Sequence, residues 1–320
     1  MHDPLIAPAT FIAPVVSGPS GLVDEDLAAV RVLVESVGGF PYVNWAAGTV
    51  VAAGRRMIVV TTDRGRGWMP TGTVLPANVE LPWRHPEASR WEGILDPARV
   101  IVEYTAAVGG ALTALAATHF SAPRSVGNVP FAPVIDPSTH AHPELLGSVL
   151  SLRGVTATRS TLQVDPKFLA PAQAITDDDE RRSQALWCVY RAIEHADSIS
   201  GGEVTRGEIC RRILGQIEAA PGHNPRRIEQ HVRPLWEQLE AVHATLLDHE
   251  RAARADVRDI PVGKVDTAGA PEYRAALAQT YAAEAVLGLR TSDAASALEN
   301  AVYYMDGLNT YLQDERREAV

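Results

Sequence analysis

Two short runs in the first third of the chain constrain its fold more than anything else in it. Trp45-Ala46-Ala47-Gly48-Thr49-Val50-Val51 and Met57-Ile58-Val59-Val60-Thr61-Thr62 are both strand-like, and Gly54-Arg55 between them supplies a turn. The unbroken apolar stretch 57–60 marks a central strand. Asp63-Arg64-Gly65-Arg66-Gly67 then forms a tight turn in which the glycines permit positive φ. Pro70, Pro76 and Pro82 forbid a regular interior strand beyond it, which leaves a short edge strand and an extended loop. Trp45, Val59 and Trp68 are expected to serve the core of this front domain.

Helices flank these strands. Leu27, Val30, Leu33, Val34 and Val37 give one apolar face to a helix over 23–37, with Asp24, Glu25 and Asp26 against its positive end and Gly38-Gly39 stopping it. Asp96-Pro97 pairs an N-cap with the residue preferred at the first helical position, predicting a helix to about residue 120, loosened at Gly109-Gly110. Seven prolines across 121–175 argue for connectors with one short helix near 143–152.

From Asp177 onward the pattern is helical throughout. Asp177, Asp178, Asp179 and Glu180 cap a first helix that Gly201-Gly202 break, and Thr205-Arg206-Gly207-Glu208 caps the next. A long helix runs from Pro225 toward Val257, another opens at Pro271, and Ser292 caps the last. Five helices on short links imply a bundle with antiparallel neighbours. The expected class is α+β, a small N-terminal α/β-sheet domain followed by an all-α helical bundle. Its parts are a Pro/Ala-rich flexible tail over 1–20, the α+β domain over 21–120, an irregular connector over 121–175 and the bundle over 176–320.

Composition narrows the function classes. Basic residues number 29 and acidic residues 39, for a net charge of −10. Broad contact with nucleic acid or an anionic membrane needs a basic face, so neither is an expected partner. No segment has the length of apolar run that spans a bilayer, and the proline-rich opening lacks the pattern of a signal peptide. Two cysteines, Cys188 and Cys210, are too few for a disulfide scaffold, which fits a cytoplasmic protein.

Candidate sites are sparse. Arg64 and Arg66 in the glycine turn can be read as a cradle for a phosphorylated or small polar ligand. No helix follows it as in a P-loop, and a structural turn is the competing reading. His140 and His142 lack a third metal ligand nearby, so no metal and no cofactor is expected. No nucleophile motif occurs, and Cys188 lies amid Leu186, Trp187, Val189 and Tyr190, a setting that suggests an inert buried thiol. In the last helix Leu298, Val302, Met305, Leu308 and Leu312 form a stripe to bury. Tyr303, Tyr304 and Tyr311 add more apolar surface than one face hides, so they are assigned either to a partner surface or to the bundle interior. Tyr190–Glu194 and Tyr311–Glu315 both match Tyr-x-x-x-(Asp/Glu), the export signal of type VII substrates, but a match of this length occurs about once by chance.

Trp45-Ala46-Ala47-Gly48, the turn Val60-Thr61-Thr62-Asp63 with Gly67-Trp68-Met69-Pro70, and Leu75-Pro76 resemble the C-terminal region of mycobacterial EspK-like proteins associated with type VII (ESX) secretion. The resemblance implies a small domain preceding an α-helical one. It also implies a non-enzymatic chaperone or adaptor that binds a secreted protein substrate and presents it to the secretion ATPase. A cytoplasmic location follows, with export through the same system as a further possibility of the family. No catalytic residue carries over. The alternative is an enzyme or sensor with its ligand at the Asp63–Gly67 turn.

Overall fold

A computed structural model of the chain describes residues 20–37, 43–118, 131–133, 156–201, 204–219, 225–267 and 271–318. The fold is α+β, and the chain divides into two compact units. The first comprises 1–156 with 255–269; the second comprises 157–254 with 270–320.

The first unit is built on a sheet of strands β1 (Trp45–Ala52), β2 (Arg55–Thr62), β4 (Ala111–Ala117) and β5 (Phe131–Pro133), with Val74–Pro76 as β3 outside it. Its order is β2-β1-β4-β5. β1 pairs antiparallel with β2 and β4, and β4 pairs parallel with β5. The expected hairpin is present, with Trp45 opposite Thr62 and Ala52 opposite Arg55. Helices α1 (Ser20–Val37) and α2 (Pro97–Ala107) both pack on β1 and β4. Ala46, Val50 and Ala52 join Ile101 and Leu115 in the α2-side core. Trp45, Val59 and Trp68 are all buried, as expected of core residues.

The sequence reading placed 111–120 in a helix, and the structure corrects it. Gly109 turns the chain at φ +61°, and Ala111–Ala117 becomes a strand hydrogen-bonded on both sides. The segment is rich in alanine and leucine, good helix formers, but a strand lying under helices needs small residues. Tertiary packing overrides local propensity here. Gly48 on β1 is tighter still: a Cβ there would lie 2.8 Å from Ile101 Cγ2 and 2.9 Å from Leu112 Cδ1.

A bulge in β4 sets which residue meets α1. Thr49 pairs with Ala114 and Val50 with Leu112, so Thr113 is the extra residue. Leu112 and Leu115 therefore share the α2-side core, which strict alternation would forbid. Thr113 Oγ1 donates to Asp26 Oδ2 at 2.7 Å, and Asp26 also pairs with Arg56. Asp26 was expected to face the positive end of α1. The helix in fact starts at Ser20, and Asp26 is a buried anchor in its second turn.

The segment 255–269 is the other departure. It follows a helix of the second unit, yet Val257, Val262 and Val265 are buried in the first unit's core. Each such burial contributes about 1.5–3 kcal/mol. Ala255 N–H donates to Gly93 O at 2.8 Å, and Thr267 N–H donates to Arg90 O at 3.0 Å. Between them, Arg99 on α2 donates to Ile260 O at 2.6 Å, and Glu103 accepts from Gly263 N–H at 2.8 Å. Arg99 and Glu103 are themselves a buried ion pair at 2.7 Å. This strap was read only as the end of one helix and the gap before the next.

In the second unit, the expected connector contains two short helices, α3 (Arg159–Gln163) and α4 (Pro166–Ala174), each with a side-chain N-cap from Thr158 and Asp165. Proline ends segments but also starts them, and Pro166 at the first helical position does so. The expected helix near 143–152 lies outside the described residues. Five long helices follow: α5 (Asp178–Ser200), α6 (Val204–Ala219), α7 (Pro225–Ala252), α8 (Pro271–Leu287) and α9 (Ala294–Glu318). Asp177 caps α5 by accepting from Glu180 N–H at 2.9 Å, and Gly201 closes it in the left-handed region. Asp293 rather than Ser292 caps α9, accepting from Ser296 N–H at 2.9 Å. α5 packs against both α8 and α9.

Candidate functional site

The Asp63–Gly67 turn is a strapped core element. Asn44 Nδ2 donates to Asp63 Oδ2 at 2.7 Å, its backbone N–H donates to Asp63 Oδ1, and Thr62 Oγ1 donates to Trp68 O at 2.7 Å. Arg64 is 2% exposed, with its guanidinium 4.1 Å from the centre of the Trp68 ring. A desolvated cation over indole contributes about 2 kcal/mol. Arg66 takes left-handed backbone (φ 52°, ψ 31°) and reaches Glu92, whose side chain is buried. Both arginines face protein groups, and Gly65 and Gly67 are buried. The turn is a structural corner, which corrects its reading as an open phosphate cradle.

The tyrosine expectation resolves to the interior. Tyr303, Tyr304 and Tyr311 are all buried, so they are not a partner surface. A buried guanidinium supplied by α3 accounts for two of them. Arg159 lies 4.0 Å from the centre of the Tyr303 ring and 5.2 Å from that of Tyr304, and its Nη2 donates to Asn300 Oδ1 at 2.6 Å. Tyr304 also stacks edge-on with Tyr281 at 5.6 Å. Burial, with the nearby Glu284 carboxylate, holds the Tyr304 phenol above its ordinary range. The α9 faces are filled because a short helix the sequence pattern missed covers the second one.

Among the described residues, the exposed aromatic surface lies on α5 instead. Trp187 is 52% exposed. Ala185, Leu186, Cys188, Val189, Ala192 and Ile193 carry the buried face of this helix, so Trp187 falls on the polar stripe with Ser183, Arg191 and Glu194. Spacing by four and seven along a helix puts Ser183, Trp187 and Tyr190 on one side. Together with Leu186 and with Glu218 of α6 they line an open cleft of about 310 Å³. The Tyr190 phenol is pushed up by its burial first and then by the Glu218 carboxylate it bonds. The cleft offers two aromatic rings, the apolar Leu186 side chain, the hydroxyls of Ser183 and Tyr190, and one carboxylate. That set suits an apolar side chain with a polar or cationic neighbour. The sequence signal was present: a tryptophan interrupts the polar side of an otherwise regular amphipathic helix.

Beside the cleft, Cys188 points inward. Burial pushes its thiol from 9.0 up to about 12, and that of Cys210 up to about 11. Both thiols are expected to ignore Ellman's reagent in the native protein at pH 8 and to react on unfolding. The unfolded thiols ionise near pH 9 while the folded ones keep their protons. Stability is therefore complete below pH 9 and falls as pH rises from there, by about 1 kcal/mol per thiol at pH 10. Urea midpoints at pH 8 and pH 10 check the sign.

Among the described residues no group of three or more His, Cys, Asp or Glu is placed to hold a metal ion, and no helix is long and apolar enough to cross a membrane. His140 and His142 lie outside the described residues. The chain matches no protein-family model. It matches no curated protein. Among solved structures it is similar to a fragment of the conserved hypothetical protein Rv3899c from Mycobacterium tuberculosis. The identity is 18% and the TM-score 0.40, with 90% of this chain and 97% of that one covered.

Proposed function

We propose that the chain is a non-enzymatic binding protein, an adaptor of mycobacterial type VII secretion. In this reading it takes up a secreted protein substrate through the Trp187 cleft and presents it to the secretion ATPase. The observation that carries the binding role is Trp187 itself. This half-exposed indole on the polar stripe of α5 lies with Leu186 and Tyr190 beside the Glu218 carboxylate, an amphipathic ring on an open cleft of the kind that interfaces use. Tryptophan and tyrosine are also the side chains that dominate binding energy at protein interfaces. The secretion context rests on the resemblance carried by Trp45–Gly48, Val60–Asp63, Gly67–Pro70 and Leu75-Pro76. Glu218 at the cleft favours a substrate segment in which a basic residue neighbours an apolar anchor.

Trp187→Ala in the full chain tests this. As a surface change away from the core it should move the melting temperature by no more than a degree or two. Capture of secretion substrates from a mycobacterial extract should fall by roughly thirtyfold in affinity, the effect of losing one central aromatic anchor. Tyr304→Ala serves as the contrast, losing stability while retaining binding per folded molecule. Undiminished capture by Trp187→Ala would remove the cleft from the reading.

A further inference from the structure

The first unit is not one continuous piece of chain. Its sheet and α2 come from before residue 157, and its strap, 255–269, arrives after all of α3 to α7 have been laid down. The strap is a structural member of that unit. Val257, Val262 and Val265 fill its core, and Arg99 and Glu103 are satisfied by Ile260 O and Gly263 N–H. Arg90 adds a bond to Gly263 O at 3.0 Å, and Thr267 Oγ1 donates to Glu92 O at 2.7 Å.

We propose that the strap makes folding of the first unit conditional on the second unit, while the second does not depend on the first in this way. The asymmetry follows from loop closure. With the second unit folded, Ala157 and Arg254 belong to one compact body and stand at a fixed separation, so the stretch between them adds no free chain to the loop that docking the strap must close. With it unfolded, docking the strap must close a loop of roughly 100 residues. The closure term grows as about the 3/2 power of loop length, so the first unit's folding equilibrium constant falls by at most roughly a thousandfold, the limit in which the folded second unit removes the whole loop. In the opposite case the strap becomes a loop of fewer than 20 residues between α7 and α8, which is a short connection that a helical bundle tolerates. The fold thus reports the state of its helical unit through its sheet.

Urea titration of the full chain tests the claim, with pulsed hydrogen exchange and mass spectrometry so that peptides from β1 and α8 each report their own unit. Ile213→Ala with Leu214→Ala, both at fully buried positions of α6, makes the second unit unfold early. The β1 midpoint is expected to fall with that of α8. Val59→Ala, at a fully buried position of β2, is expected to lower the β1 midpoint and leave α8 unchanged. Leu214→Ala alone replaces the pair if the pair unfolds α6 from the outset. A β1 midpoint that stays put after α8 has unfolded overturns the dependence. An α8 midpoint that drops with Val59→Ala overturns the asymmetry.

Discussion

Glu103→Ala is expected to cost the first unit about 3–5 kcal/mol, because it leaves the guanidinium of Arg99 buried without its carboxylate. Both side chains are almost wholly buried and lie 2.7 Å apart on successive turns of α2. The same carboxylate accepts the Gly263 N–H, so the variant also strands a backbone donor, at about 1–3 kcal/mol if water does not reach it. The two losses share one group and do not simply add. Glu103→Gln keeps an acceptor of similar shape and should recover part of the loss. The urea midpoint of the full chain, followed by near-ultraviolet circular dichroism, measures the effect. A shift of less than about 1 kcal/mol for Glu103→Ala would place the pair in the class of solvent-screened ion pairs.

Trp68→Ala is expected to cost about 3–5 kcal/mol, the range for removing a buried tryptophan. The ring is 8% exposed, and its loss would also leave the buried Arg64 guanidinium facing a void where the indole was. Trp68→Phe keeps a ring face under the cation and should lose less. The melt has to be made on the full chain, since a fragment ending near residue 120 lacks the strap. A Trp68→Ala protein as stable as its parent would mean that the corner collapses around the missing ring, or that the ring has another role.

The parts of the fold legible in the sequence were those whose local pattern and tertiary role agree. The β1–β2 hairpin, the Asp96 and Asp177 caps and the five long helices belong here, because a cap or an apolar stripe carries its own physics. β4 was illegible because its small residues serve the packing of helices over a sheet, and Ala-Leu-Thr-Ala-Leu-Ala-Ala has the same composition as a good helix. The strap was illegible because its three valines have no period, and their partners on α2 lie some 160 positions away, as in Glu103–Gly263. The tyrosines of α9 misled for a related reason: counting faces along one helix cannot reveal Arg159 and α3 waiting to cover the second face. The Trp187 cleft was readable in principle, but Trp187 was grouped with its sequence neighbour Cys188 when a helix turns them to different sides.

The exposure of Trp187 has an optical consequence. The chain holds six tryptophans, and the other five are buried or half-buried. Quenching by a polar quencher such as iodide therefore acts most strongly on the one indole in the cleft. Its emission should shift to the blue and escape the quencher when a peptide covers it, while the buried rings supply a constant background. The protein thus carries its own titration dye at its candidate binding site, and affinities can be read without labelling either partner.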